Sequence, residues 1–76
     1  MPRTRLFRST AGKIRIDDFV AESVVNGSTW SARWTGVVES ITPLGGRLDL
    51  RDVHFEGGQW VTLTSDDVVW IERTYV

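Results

Sequence analysis

WTGVVESITPLGGRLDLRDVHFEGGQWVTLTSDDVVWI, from Trp34 to Ile71, is the stretch whose punctuation decides the fold. Apolar residues alternate with polar ones. The runs are cut at Pro43–Leu44–Gly45–Gly46, at Gly57–Gly58 and at Ser65–Asp66–Asp67. Alternation at period two marks strands with one buried face, and glycine or aspartate clusters between them mark tight turns. The pattern predicts an all-β fold: a small five-stranded, strongly bent antiparallel β-barrel over residues 13–76, with a sixth strand in reserve. Residues 1–12 read as a basic N-terminal arm, loosely ordered, which Leu6 and Phe7 can pin to the body.

Inside that stretch the parities assign faces. Gly36 marks a bulge or a sharp bend, which a small barrel needs at its corners. Leu48 and Leu50 share a face, and a bulge near Arg51–Asp52 brings Val53 and Phe55 to the same side. Val61 and Leu63 point inward from Trp60–Thr64, as do Val69 and Ile71 from a last strand Val68–Tyr75. Trp60 and Trp70 fall on the opposite parity and face outward together. Trp34 belongs to the core.

Outward from there, Asp17–Val25 supports two readings. Asp17 or Asp18 can cap a short helix with Val20 and Val24 on one face and Gly27 at its end. Alternatively, Asn26–Gly27 is a strong hairpin turn, because both residues accept positive φ. With Val25 and Ser28 flanking that turn, Ser23 lies opposite Trp30, Ala21 opposite Ala32, and Phe19 opposite Trp34. Small residues then sit between large ones on one face, and this agreement favours the hairpin.

Size and charge limit the options. A 76-residue chain buries only about 60 % of its unfolded surface. It has no cysteine to staple it, so four Trp, three Phe and one Tyr must supply packing. Oligomerisation is another source of buried area. No run approaches the length of a membrane span, and no apolar signal core opens the chain, so a cytoplasmic protein without a membrane partner is expected. Net charge is −1 but uneven. Residues 1–15 carry Arg3, Arg5, Arg8, Lys13 and Arg15 with no acid, whereas residues 16–76 carry four arginines against ten acids.

The bent strands, corner glycine and short turn before the last strand resemble the small-barrel group that includes Sm-like and Src-homology-type (SH3-like) barrels. Gly36-x-Val38-x-x-Ile41 followed by Leu48-x-Leu50-x-Asp52-Val53 is similar to the first Sm-like motif, and Val61-x-Leu63 and Val68-x-x-Ile71 to its closing strands. The resemblance covers about forty residues and implies architecture. That family contacts RNA through an Asp and an Asn in the first hairpin loop and an Arg-Gly in the second motif. Here those places read Thr42-Pro43-Leu44-Gly45-Gly46 and Thr64-Ser65-Asp66-Asp67, so the resemblance does not extend to RNA contacts. Sm-like barrels also pair edge strands into rings, which makes a homo-oligomer a further expectation.

Little in the chain suggests catalysis. His54, the only histidine, has Asp52 on its strand face but no nucleophile to complete a triad. Asp17–Asp18 and Asp66–Asp67 are adjacent in extended or turn segments and suit caps and turns better than a chelate. The paired glycines match no phosphate loop. No catalytic residues, no metal site and no cofactor are therefore expected. The expected function is a non-enzymatic interaction module, a small accessory or mobile-element protein, that binds a protein or peptide through Trp60, Trp70 and Trp30 on an aromatic barrel face. The alternative is nucleic-acid binding, with Arg3, Arg5, Arg8, Lys13 and Arg15 on phosphates and Trp30 or Trp60 stacking on bases.

Overall fold

The computed structural model describes residues 2–22, 25, 26, 29, 30 and 34–75. The strands are β1 (Arg3–Thr10), β2 (Phe19–Glu22), β3 (Val25–Asn26), β4 (Thr29–Trp30), β5 (Thr35–Gly45), β6 (Leu50–Phe55), β7 (Trp60–Thr64) and β8 (Val68–Tyr75). A 3-10 turn at Ala11–Lys13 is the one helical piece among the described residues. Six strands form a single antiparallel sheet in the order β1-β8-β2-β5-β6-β7, and β3 pairs with β4 in a separate ribbon.

The sheet curls but does not close, which corrects the expected five-stranded barrel. The two edge strands are β1 and β7, and no ladder joins them among the described residues. A sixth strand, β1, extends the sheet beyond β8, paired from Arg3↔Tyr75 to Thr10↔Val68. The expected loose arm is thus mostly a strand, held by its ladder and by Phe7, which packs inward against the core. The chain then passes through Ala11–Ile14 to the other side of β8. Ala11 N–H donates to the Asp67 carbonyl at 2.8 Å and Gly12 N–H to the Ser65 carbonyl at 2.9 Å. Ala11 and Ile14 enter the core on the way.

Beyond that crossing, Phe19–Glu22 is β2, so no helix forms there. A β3–β4 hairpin is present, but its register differs from the expected one. Val25 pairs with Trp30, Phe19 with Val37 and Ala21 with Thr35. Ser23, Gly27, Ser28 and Ala32 lie outside the described residues. The physical cause of the shift sits just before β2. Asp17 N–H donates to the Val38 carbonyl (2.9 Å), and Val38 N–H donates to the Asp18 carbonyl (2.8 Å), which locks the alignment. It also sets Gly36 opposite Val20 and beneath the Phe55 ring.

The bulges lie in β5, not near Arg51–Asp52. Between Val38 and Ser40, and again between Pro43 and Gly45, one extra β5 residue interrupts its ladder with β6. The β6–β7 ladder runs unbroken from Leu50 to His54. Pro43, Leu44 and Gly45 therefore belong to the strand, and the reversal is made by residues 46–49, with Gly46 at φ 83° and Asp49 at φ 50°. Leu48 is exposed in that turn and joins no core face. Val20, Val38, Val53, Phe55, Leu63, Val69 and Ile71 fill the inner face, as the parities of the later strands predict. Trp34 is half-buried and stacks on Phe55 with ring centroids 5.9 Å apart.

Candidate functional site

The outward parity of Trp60 and Trp70 holds, but the two are not neighbours. Trp60 lies on the edge strand β7, and Trp70 on β8, with β2, β5 and β6 between those strands. Trp60 is 59 % exposed, with the His54 ring beside it at a centroid distance of 6.3 Å. Trp30 is placed in β4, but its side chain lies outside the described residues. Trp60 and Trp70 therefore do not share one aromatic face.

Trp70 acquires other company. Cross-strand pairing puts Arg8 and Ala21 on either side of it, and Leu6 and Phe19 on either side of Glu72. Paired residues share a face, so β1, β8 and β2 together present Leu6, Arg8, Trp70, Glu72, Phe19 and Ala21 away from the core. Leu6, Phe19, Ala21, Trp70 and Glu72 line an open groove of about 370 Å³. Leu6 is 65 % exposed and Phe19 39 %. Large apolar side chains grouped around a hollow on a solvent face are the usual mark of a docking surface. Sequence reasoning named Trp70 but missed Leu6 and Phe19. It gave Leu6 to an arm and set Phe19 opposite the wrong residue.

At the far end of β8 an ion pair closes the fold. The Asp18 carboxylate, on a residue only 2 % exposed, accepts from Arg73 Nε at 2.8 Å and from Arg73 Nη2 at 2.7 Å. Arg15 N–H also donates to it (2.8 Å), and Arg73 Nη2 donates to the Lys13 carbonyl (3.0 Å). The hydrogen bonds to Asp18 raise the Arg73 pKa above its already high ordinary value, against the opposing cost of burial. The Arg73 guanidinium lies 5.2 Å from the centre of the Phe7 ring, and Arg5 lies 5.8 Å from it. This cluster ties the loop before β2 to the last strand. The bidentate pair and its two backbone contacts make it a clasp between those segments.

The basic residues do not form one surface. On β1, Arg3 and Arg5 share the parity of Phe7, and Arg8 has the opposite one. Arg5 pairs across the ladder with Arg73, and Lys13 and Arg15 lie along the segment that the Arg73–Asp18 clasp holds. Arg3, Arg8, Lys13 and Arg15 are exposed and form no ion pair among the described residues. Asp52, on the face of His54, accepts a hydrogen bond from Thr62 Oγ1 at 2.6 Å. Asp67 accepts one from Thr64 N–H at 2.9 Å, which is the turn duty its sequence position suggests. No group of three metal-ligating side chains occurs among the described residues, and no helix there is long and apolar enough to cross a membrane.

A comparison with known proteins finds no matching family, no matching curated relative and no matching solved structure.

Proposed function

We propose that this protein is a non-enzymatic interaction module that docks a protein partner on the outer face of β1, β8 and β2. The observation that carries the reading is the apolar groove lined by exposed Leu6 and Phe19 and half-buried Trp70. Such anchors supply most of the energy of a protein interface when a partner excludes water from them. Trp60, on the far edge of the sheet, is peripheral to this site. The test is capture on the immobilised chain. Leu6→Ser with Phe19→Ser should lose protein that the unaltered chain retains, while Trp60→Ser should keep it. Equal retention by the Leu6/Phe19 variant overturns the reading.

A second reading, nucleic-acid binding, is favoured by Arg3, Lys13 and Arg15 near the end of β8, which are exposed and form no ion pair among the described residues. It requires affinity that falls steeply with salt, the slope counting the phosphates neutralised. Arg3→Ala with Arg15→Ala should flatten that slope by about two. Affinity that does not respond to salt removes this reading.

A further inference from the structure

We infer that the protein docked on this face is a second copy of the chain, related to the first by a two-fold axis through the groove. The inference rests on the docking reading above and names its partner. A two-fold interface presents the same patch on both sides, so residue i meets j and j meets i. A patch can serve that way only if it is its own complement. This one sets a strongly exposed apolar side chain, Leu6, in the wall of the hollow that it lines with Phe19, Ala21, Trp70 and Glu72, so the Leu6 of each copy can enter the hollow of the other.

Its charges are balanced in the same sense. Arg8 lies across from Trp70 at one end of the patch, and Glu72 lies across from Leu6 at the other. Both are exposed, and although they sit diagonally across β1 and β8, no ion pair joins them. A two-fold axis that lies in the plane of the face and passes between Arg8 and Glu72 brings Arg8 of each copy to Glu72 of the other, twice per dimer. A patch of one sign would repel its copy. The apolar lining and the Glu72 carboxylate also disfavour a phosphate backbone at this place. Covering Leu6, Phe19 and Trp70 would add buried apolar area that a chain of this size otherwise lacks.

The test is light-scattering mass against concentration. The unaltered chain should approach twice its 8.6 kDa mass and fall toward a single chain on dilution. Arg8→Glu and Glu72→Arg should each raise the dimer dissociation constant at least about tenfold, and the two together should restore it. Leu6→Asp, at an exposed position on an edge strand, should weaken the dimer without unfolding it, as a circular-dichroism melt will show. A monomer at every soluble concentration overturns the inference, as does a dimer indifferent to both Leu6→Asp and the charge reversals. The two readings fail separately. A monomer that still captures protein through Leu6 and Phe19 ends the second-copy inference alone, whereas a monomer that captures nothing ends both.

Discussion

Gly36 and Asp18 hold places that other residues fill badly. A Cβ at Gly36 would come within 2.7 Å of Phe55 Cγ, closer than packed carbons approach, and the ring is wedged between Gly36 and Trp34. Gly36→Ala should therefore destabilise the fold by about 1–3 kcal/mol, seen as a lower urea midpoint. A midpoint equal to that of the unaltered chain contradicts the packing argument. The sequence marks Gly36 as special but supplies a different reason, a bend, because the Phe55 ring reaches it only through the fold. The Asp18–Arg73 pair leaves no trace in the sequence. Its members are 55 positions apart, and a lone aspartate beside another looks like a cap. Asp18→Ala leaves Arg73 charged without its counter-ion and should cost about 3–5 kcal/mol. Because Asp18 raises the Arg73 pKa, the stability Arg73 contributes is present below its unfolded-state pKa and lost only as pH rises beyond it. Its share should thus be flat from about pH 5 to pH 9 in a urea-midpoint series.

Strands whose buried faces alternate cleanly are legible in the sequence. β7 and β8 fall where Trp60–Thr64 and Val68–Tyr75 predict, with Leu63, Val69 and Ile71 inward. β1 escapes that reading because RTRLFRST puts charge on both faces and only Phe7 into the core. The phase mismatch between Leu50 and Val53 suggests a bulge in β6, but that strand runs unbroken, Leu50 faces away from Val53, and the extra residues lie in β5. The candidate site is half legible for the same reason. Trp70 shows its outward parity in its own strand, whereas Leu6 and Phe19 reach it only through pairings of β1 and β2 with β8. Deleting residues 1–10 tests the role of β1. A loose arm could be removed freely, but loss of the β8 ladder and of Phe7 should cost at least about 2 kcal/mol and speed hydrogen exchange at β8 amides. Unchanged exchange at β8 would return residues 1–10 to the status of an arm.

At the scale of the molecule, the sheet is open between its edge strands β1 and β7, with extents of 38 × 35 × 22 Å. One side of the curled sheet holds the core. The other, over β1, β8 and β2, carries the apolar groove, and the Asp18–Arg73 clasp fixes β2 against β8 beneath it. Trp60 stands apart on the β7 edge. The central claim is that contact with protein occurs over β8 and not at that edge. A photo-crosslinking amino acid placed at position 6, and in a separate chain at position 60, addresses it directly. The account predicts protein adducts from position 6, lost when Phe19→Ser is added, and few from position 60. Adducts from position 60 alone, or from position 6 only to nucleic acid, would contradict it.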